Sequence, residues 1–439
     1  MEVVQATAWY PPHDLGGTEV YLAGLIESLR ERGVHSTVVV PRHSLAAHEY
    51  EHQGAQVVTY PVGELQGFDE LRGKRTHSGF EDFRAIITSI PCGIYHQHSW
   101  TRGCGPHHLA AARAGGLKTV LTVHVAGVNC IRGTMLRFGE KPCDGIVREK
   151  VCGACYLESR GLPKWLSLAA SQVPSVVAAW SCRRPGRMMT ALAGRALAAA
   201  KGDELRGLIA NSDRIVAVCQ WLHDALLRNG VPKEKLVLSR QALSADLAYR
   251  VGGLPTSPNK AGGGLRILFL GRLDPAKGLE TLVKAVQRLP VDARVTLTIH
   301  AIPPRPDHEA YRDRVTHLAQ NDERITFAGP VSHDKLPQVF SQHDVLAVPS
   351  LVMETGPLVV LEAQAAGLHV LGSRLGGIAE LVTDGDTGAL VEAGNGEAWA
   401  GAIRALALAK QQGSLRRVPK TVRMMGSVAS EMIEVYRSL

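Results

Sequence analysis

The stretch LRILFLGRLDPAKGLETLVKAVQR, residues 265 to 288, decides the fold class of the second half of the chain. Leu265 to Leu270 is an apolar run typical of a buried strand, and residues 278 to 288 repeat apolar side chains at helical spacing. A strand followed directly by a helix begins a βαβ unit. Further strands are predicted at Arg294 to Ala301, Ile325 to Ala328, Val345 to Val348 and His369 to Gly372. This half therefore predicts an α/β domain with a doubly wound parallel sheet.

The first half of the chain alternates in the same way. A helix is predicted over Thr18 to Arg32 and another over His107 to Ala114. Strands are predicted at Thr37 to Val40, Gln56 to Tyr60, Gly93 to His96, Lys118 to His124 and Ile215 to Cys219. These elements predict a second doubly wound domain, so that two Rossmann-like domains face each other across a cleft.

The domain boundaries follow from interruptions of this alternation. Residues 125 to 205 hold an alanine-rich run and no clear strand, which indicates an insertion, and the alternation resumes at Leu208 to Asn211. Residues 251 to 264 form a Gly/Pro-rich linker. We therefore predict one domain at 1 to 250, which carries the insertion 125 to 205, and a second domain at 265 to 427. The helix predicted within 428 to 439 docks back onto the first domain.

Composition limits the class of protein. The 439 residues are 45% hydrophobic and 21% charged, which excludes collagen, a disordered chain and a disulfide mini-scaffold. The most apolar segment, Leu166 to Trp180, is interrupted by polar residues, so no membrane-spanning helix is expected. The N-terminus lacks the pattern of a signal peptide, which favours the cytoplasm. The net charge of +8 suits phosphorylated ligands, an anionic membrane surface or nucleic acid.

The octet GRLDPAKG, Gly271 to Gly278, follows a predicted strand and opens a helix. Gly271 permits close approach of the backbone, and Arg272 and Lys277 place two cations beside the helix N-terminus, where anions bind. The octet is thus a candidate diphosphate site. A solvated basic loop is the alternative interpretation.

A second candidate motif, ETGPLVVLE at residues 354 to 362, follows the strand Val345 to Val348. Pro357 is predicted at the first helical position and Gly367 at the helix end, which places Glu354 in the loop and Glu362 inside the helix. Eight residues at 1.5 Å each span about 12 Å, a separation that suits two ends of one ligand. The alternative is a pair of surface glutamates.

Two further patterns concern the N-terminal half. Gly16 and Gly17 precede the first helix, where they form either a ligand wall or an ordinary turn. His98 and His124 fall where adjacent parallel strands end, so they either face a ligand or are satisfied core histidines.

Together, GGTE, TVH, GRLDPAKG, the E-x7-E spacing and LGGIAELV resemble the retaining family 4 glycosyltransferases of the GT-B fold. The resemblance covers the chain outside residues 125 to 205. It implies that residues 1 to 250 form the acceptor-side domain and residues 265 to 427 the nucleotide-sugar-binding domain. It implies catalytic roles for His124, Glu354, Arg272 and Lys277. The donor-binding residues that it implies are Gly16, Gly17, Gly271, Arg272, Lys277, Gly356, Leu358 and Glu362. His98 lies on the acceptor side.

The resemblance also implies the reaction: a sugar moves from a nucleotide-diphosphate sugar donor to a hydroxyl acceptor, either a glycan, a lipid-linked molecule or a small molecule. No cofactor is implied for catalysis, because two cations and a helix dipole take the place of a metal. Retention implies attack on the same face of the sugar, with the leaving phosphate accepting the acceptor's proton. The alternative enzyme is a sugar-nucleotide epimerase.

Four cysteines of the insertion, Cys130, Cys143, Cys152 and Cys155, have the spacing C-x12-C-x8-C-x2-C. This pattern fits a structural zinc site or an iron-sulfur cluster, and a subset of the same family resembles it. Four reduced thiols are the alternative.

Two basic clusters bear on the partners of the protein. They are Arg183, Arg184 and Arg187, and Arg416, Arg417, Lys420 and Arg423. Either they contact an anionic membrane peripherally or they form solvated basic faces. A zinc-containing nucleic-acid-binding protein ranks low, because the cysteine stretch holds few aromatic residues. No nucleic acid is therefore expected as a partner.

Overall fold

The computed structural model describes the chain apart from residues 13–15, 44–47, 66–69, 71–74, 91–92, 185, 253–262, 303–307 and 416–418. Internal contacts divide the chain into two units. The first comprises Met1–Gln241 with Met425–Leu439, and the second Ala242–Met424. Most of the Gly/Pro-rich segment 251 to 264, in which we place the domain boundary, lies outside the described residues.

The first unit is built on a parallel sheet. Its strands are β1 (Glu2–Ala6), β2 (His35–Arg42), β3 (Glu49–His52), β4 (Ala55–Pro61), β5 (Ile94–Gln97), β6 (Lys118–Val123), β7 (Leu136–Arg137), β8 (Lys141–Pro142), β9 (Arg214–Ala217) and β10 (Leu236–Leu238). Eight of them form one sheet in the order β10-β9-β6-β5-β1-β2-β4-β3, in which β3 is antiparallel at the edge. The chain first adds strands on the β2 side of β1 and then on the β5 side. The crevice at which this fold binds ligands therefore opens at the carboxyl ends of β1 and β5.

The first unit also contains helices. They are α1 (Gly17–Arg30), α2 (Phe80–Ser89), α3 (Pro106–Ala114), α4 (Glu149–Ser159), α5 (Lys164–Ala170), α6 (Ser175–Ser181), α7 (Arg187–Asn211) and α8 (Gln220–Arg228). The last described helix, α16 (Met425–Arg437), packs against α1. Its Tyr436 is buried, and its hydroxyl lies 2.7 Å from Nδ1 of His96 on β5.

The structure differs from the prediction at one place in the insertion and at one place directly after it. The insertion contains the short antiparallel hairpin of β7 and β8, where no strand was predicted. Residues 208 to 211, where the alternation was predicted to resume, are the last turn of α7. Leu205 and Leu208 keep helical spacing and are buried in the core of the unit, so the helix continues until β9 begins at Arg214.

The second unit holds a six-stranded parallel sheet. Its strands are β11 (Leu265–Arg272), β12 (Val295–Ile302), β13 (Ile325–Phe327), β14 (Val345–Val348), β15 (His369–Ser373) and β16 (Gly388–Val391), in the order β13-β12-β11-β14-β15-β16. This is the order three-two-one-four-five-six of dinucleotide-binding sheets, whose ligand crevice lies where the first and fourth strands meet. Here those strands are β11 and β14. Both units therefore have the predicted doubly wound architecture.

Seven helices lie in the described part of the second unit. They are α9 (Ala245–Gly252), α10 (Leu279–Gln287), α11 (Glu309–Ala319), α12 (Leu336–Ser341), α13 (Leu358–Ala365), α14 (Gly376–Leu381) and α15 (Gly396–Gln411).

A buried charge network ties β11 to β14 at the end opposite the crevice. Asp344 accepts hydrogen bonds from the backbone N–H and the guanidinium of Arg266, and Lys410 Nζ lies 2.9 Å from its Oδ1. These cations hold the pKa of Asp344 below its usual range despite burial. The network fixes the two strands side by side, so the loops that leave their carboxyl ends are also adjacent.

Candidate active site

The two loops at the β11–β14 crevice approach each other through a glycine. Gly278 has a φ of +69°, and a Cβ at this position would lie 1.9 Å from the carbonyl oxygen of Pro349. Leu351 N–H donates a hydrogen bond of 2.8 Å to the carbonyl of Ala276. The octet from 271 to 278 and the loop before α13 therefore form one packed structure, because no side chain intervenes at Gly278.

An ion pair joins the two predicted motifs inside this structure. Lys277 Nζ lies 2.6 Å from Oε1 of Glu354, to which the Ser350 hydroxyl also donates a hydrogen bond of 2.7 Å. Both charged side chains are mostly buried. The resemblance implies separate roles for these residues, on the diphosphate and near the sugar. The structure shows in addition that Glu354 holds the ammonium of Lys277, and that Ser350 orients the carboxylate.

The LGGIAELV motif contacts the same loop. Gly377 N–H donates a hydrogen bond of 2.6 Å to the Glu354 carbonyl, and a Cβ on Gly377 would lie 2.4 Å from the nitrogen of Gly356. Gly376 and Gly356 have φ values of +48° and +111°. At Gly376 only glycine fits, because a Cβ there would lie 2.8 Å from the Glu354 carbonyl oxygen and the backbone is also in the left-handed region. Three segments thus converge at the carboxyl ends of β11, β14 and β15.

Arg272 and Gly271 end β11, five residues before the Lys277 side chain and on the same loop. Arg272 is exposed. Gly271 is tightly placed, because a Cβ there would lie 3.3 Å from the ring of Phe269. The exposed guanidinium of Arg272 and the mostly buried ammonium of Lys277 thus lie on one loop, as the octet predicts for a diphosphate site.

Glu362 lies inside α13, as predicted, and is buried. Burial raises the pKa of its carboxyl to about 7, because the charged form loses its hydration. Its Oε1 is 3.9 Å from Nε2 of His333, which is too far for a direct hydrogen bond. His333 belongs to no motif that the sequence analysis recognised and was therefore missed.

The ends of α13 lie close to their predicted positions. Pro357 caps α13 and Leu358 is its first residue, one position later than predicted, whereas Gly367 follows the helix end with a φ of +79°.

The crevice of the first unit contains a chain of histidines. Nδ1 of His98 is 3.2 Å from Nε2 of His124, and Nε2 of His98 is 2.8 Å from Oε1 of Gln5 on β1. His96 packs against His98, with ring centroids 4.0 Å apart, and contacts the Thr122 hydroxyl at 2.7 Å. His98 and His124 are brought together as predicted from the strand ends. Sequence reasoning did not single out Gln5 or His96, because both lie on strands that read as core.

These bonds fix the tautomers of the two histidines. The amide oxygen of Gln5 accepts only, so His98 donates from Nε2 and accepts at Nδ1. His124 then donates from Nε2, and its Nδ1 carries the lone pair. Burial lowers the pKa of His124 to about 3, and the pKa of His98 lies well below its usual value. At neutral pH both are uncharged rings that act through hydrogen bonds rather than as acids.

Gly16 and Gly17 open α1 beside this cluster. His13 to Leu15 of the same motif lie outside the described residues. A Cβ on Gly17 would meet none of the described atoms within 4 Å, so this glycine borders open space as far as the structure describes its surroundings. Tyr21, one turn later, packs edge-on against His124 with ring centroids 4.8 Å apart. The N-terminus of α1 is thereby placed next to the histidine cluster.

The four cysteines of the insertion lie around the β7–β8 hairpin and α4. Cys130 precedes the hairpin, Cys143 follows it, and Cys152 and Cys155 are one turn apart on α4. Backbone N–H groups donate to the sulfurs: Phe138 to Cys155 at 3.2 Å and Arg148 to Cys152 at 3.3 Å. Burial, together with the neighbouring thiols, raises the pKa of Cys152. Within the described ranges, however, no three side chains of the metal-binding types converge on a common metal position.

A cavity of about 470 Å³ borders the outer side of the Gly278 loop. Lys284 and Arg314 line it, but both form ion pairs with Glu280, another lining residue. Arg288 lines it as well, so its cations outnumber that carboxylate. Most of its lining residues lie on or next to α10 and α11 and not at the carboxyl ends of the strands, where doubly wound sheets bind ligands, so we do not assign the diphosphate to it.

Comparison with protein families identifies both halves of the chain. The model of the glycosyl transferase 4-like domain matches residues 16–240, and that of the glycosyl transferases group 1 matches residues 264–409. A curated relative, D-inositol 3-phosphate glycosyltransferase of Rhodococcus jostii, is 34% identical over 209 residues, which are 45% of this chain and 46% of the relative. The enzyme of the same name from Corynebacterium glutamicum is 37% identical over 146 residues, 32% of this chain and 34% of the relative. The chain thus spans at most about half the length of these relatives.

Solved structures resemble the chain over its full length. Sucrose-phosphate synthase from Thermosynechococcus elongatus matches with a TM-score of 0.66 at 20% identity, covering 100% of this chain and 99% of the other. Anabaena HepE in complex with UDP matches with a TM-score of 0.62 at 14% identity, covering 100% of both chains. These likenesses confirm the predicted GT-B fold class.

Proposed function

The chain belongs to the glycosyl transferase 4-like family, and from this premise we propose that it transfers a sugar from a nucleotide-diphosphate donor to a hydroxyl acceptor, with retention of configuration. The observation that carries the proposal is the Lys277–Glu354 ion pair of 2.6 Å at the β11–β14 crevice. It places a held cation where this type of sheet binds nucleotides.

The leaving group explains the need for that cation. Cleavage of the bond between sugar and diphosphate builds negative charge on the phosphate, and a preorganised cation stabilises this charge as it develops. Lys277 and the exposed Arg272 supply the positive charge on the loop that leads into the N-terminus of α10, whose free N–H groups also favour an anion. We propose that this arrangement works without a metal ion.

The neutral histidine cluster supports a separate role in the first unit. In the proposed reaction, His124 binds a sugar hydroxyl through the lone pair of Nδ1, and His98 keeps it in that tautomer. The open space beside Gly17 supports a ligand position at the N-terminus of α1. The acceptor hydroxyl attacks the face from which the diphosphate leaves, and the phosphate takes its proton.

A donor screen tests the proposal. Release of nucleoside diphosphate is measured with UDP-, GDP- and ADP-sugars, with and without hydroxyl acceptors, including inositol phosphate because curated relatives bear that name. We expect release that depends on an acceptor and a product that keeps the anomeric configuration. Conversion of the donor sugar without any acceptor would instead identify an epimerase.

The buried carboxyl of Glu362 predicts a pH dependence of nucleotide affinity. We propose that its carboxylate binds the ribose hydroxyls. Because its pKa is raised to about 7, the charged acceptor form becomes dominant only as pH rises through 7, so affinity should increase several-fold from pH 6 to pH 8. Calorimetric titration with the nucleoside diphosphate measures this. The phosphates titrate in the same range, so Glu362→Gln serves as the reference: if it shows the same pH slope as the wild type, Glu362 is not the source.

We also propose that the four cysteines bind one zinc ion or an iron-sulfur cluster that orders the insertion. The N–H donors to Cys152 and Cys155 suit thiolates, and all four thiols flank one hairpin and one helix. The hairpin already contacts α4 through the Phe138 to Cys155 hydrogen bond, so metal binding requires the cysteine side chains of the described residues to turn toward one common position.

Elemental analysis of anaerobically purified protein tests this metal site. We expect about one equivalent of zinc, or the iron of one cluster, in the wild type, and loss of that metal in Cys152→Ser/Cys155→Ser. The matched control is Cys182→Ser/Cys219→Ser, which removes two buried thiols elsewhere and should keep the metal. A wild type with no more metal than the first variant would leave four plain thiols.

A further inference from the structure

Large apolar side chains are exposed in one short segment of the insertion. Of the fifteen exposed large hydrophobic residues among those described, seven fall between residues 165 and 188. They are Trp165, Leu166, Leu168, Val176, Val177, Trp180 and Met188. Trp165 is 72% exposed and Val176 is 77% exposed, values far above those of a packed core. A concentration of this kind marks an interaction surface rather than scattered surface residues.

The two short helices of this segment bury small side chains and expose large apolar ones, which is the opposite of an ordinary amphipathic helix. In α5 the buried residue is Ser167, and in α6 the buried residues are Ala178 and Ser181. These small side chains face the rest of the unit, where α5 and α6 both pack on α7. The tryptophans and valines therefore point to solvent because the inner face is occupied by small residues. Folding of the unit does not explain their exposure.

The segment that carries this surface has charges of one sign only. Residues 160 to 202 contain no Asp or Glu, and they contain seven cations: Arg160, Lys164, Arg183, Arg184, Arg187, Arg195 and Lys201. Arg195 and Lys201 are ion-paired with Glu149 and Glu204, and Lys164 with Glu140. Arg183, Arg184 and Arg187 are exposed beside α6. The guanidinium of Arg184 lies 3.7 Å from the centre of the Trp180 ring.

We propose that this surface, α5 and α6 with Arg183, Arg184 and Arg187, docks onto an anionic lipid bilayer. Apolar side chains with flanking arginines are the composition of helices that lie in the interface plane, where tryptophan enters the headgroup region and the cations contact lipid phosphates. No described helix is long and apolar enough to cross a bilayer, so the attachment is peripheral. A second copy of the chain fits less well, because pairing two such faces would bring like charges together. Arg416 and Arg417 of the other basic cluster lie outside the described residues and carry no part of this proposal.

Vesicle flotation of the full chain tests the proposal without reference to activity. Vesicles of phosphatidylcholine alone are compared with vesicles that also contain phosphatidylglycerol, at low and high salt. We expect binding to the anionic vesicles only, weakened by salt. Trp165→Ser/Trp180→Ser should lower the partition coefficient about tenfold or more, because both side chains enter the interface. Arg183→Gln/Arg184→Gln should lower it by a similar factor, since each cation near an anionic surface accounts for about fivefold.

The matched control is Tyr249→Ser/Val291→Ser, which removes two exposed apolar side chains from the second unit and should bind like the wild type. All variants are compared by thermal unfolding, because the exposed positions should leave stability unchanged. Equal binding to neutral and anionic vesicles, or wild-type binding by the tryptophan variant, would overturn the proposal. A wild-type dimer in sedimentation that the tryptophan variant dissociates, without vesicle binding, would assign the surface to a second copy.

Discussion

Replacing Lys277 with alanine is expected to lower kcat by about 100-fold or more, which is the usual loss when one preorganised electrostatic partner of a transition state is removed. The substitution also leaves the mostly buried Glu354 carboxylate without its ammonium partner, next to the position assigned to the diphosphate. Repulsion between these two anions adds to the loss of the cation. The measurement is steady-state turnover with the donor found in the screen.

Lys284→Ala is the matched control for this prediction. Lys284 is also a lysine and lies on α10, the helix that follows the Lys277 turn, and its Nζ lies 2.6 Å from Oε1 of its partner Glu280. This pair is solvent-exposed, and such pairs contribute about 0–1 kcal/mol to stability. The control should therefore keep wild-type kcat and nearly wild-type thermal stability. If Lys277→Ala behaved like the control, the octet would not bind the diphosphate.

Sequence periodicity predicted the sheets because their strands are continuous apolar runs and helices separate them. The Val345–Val348 strand has its predicted bounds, and β11 extends its prediction by only two residues. Both motifs were found because they directly follow these strands, where ligands meet doubly wound sheets. The prediction that the alternation resumes at residues 208 to 211 was wrong, because the last apolar turn of a helix and a short buried strand have the same composition.

The contacts within the candidate site could not be predicted in the same way. Lys277 and Glu354 are 77 residues apart, and their pairing depends on the absence of a side chain at Gly278, which lets the Pro349 carbonyl approach. Sequence alone shows the glycine but not what it approaches. His333 was missed for a similar reason, because it reaches Glu362 only through tertiary packing. The two-residue strands β7 and β8 are too short for any periodicity.

Replacing Glu354 with glutamine is expected to lower kcat by about 100-fold while nucleoside diphosphate affinity changes only a few-fold. Glutamine keeps the shape of the side chain, and the backbone carbonyl at 354 still accepts the hydrogen bond from Gly377. Only the charge that positions the Lys277 ammonium is lost, so the cation is no longer held for the transition state. Glu362→Gln should do the opposite and weaken nucleotide binding, because its carboxylate is assigned to the ribose. Equal losses of affinity in the two variants, measured by calorimetric titration, would contradict these assignments.

A double-mutant cycle measures whether the effects of Lys277 and Glu354 on sugar transfer depend on each other. If Glu354 works by holding Lys277, then Lys277→Ala/Glu354→Gln should be no slower than Lys277→Ala alone, because no ammonium is left to hold and the repelling carboxylate is gone; we expect a coupling free energy within about 0.5–3 kcal/mol. The matched control is the corresponding cycle of Glu280→Gln and Lys284→Ala, an exposed ion pair within α10. For both single variants and the double variant, kcat should stay at the wild-type value. Losses that multiply across the Lys277 and Glu354 variants would mean that the carboxylate acts on the sugar independently of the ammonium. In that case the 2.6 Å contact between Lys277 Nζ and Glu354 Oε1 would stabilise the folded loop without contributing to the transfer step.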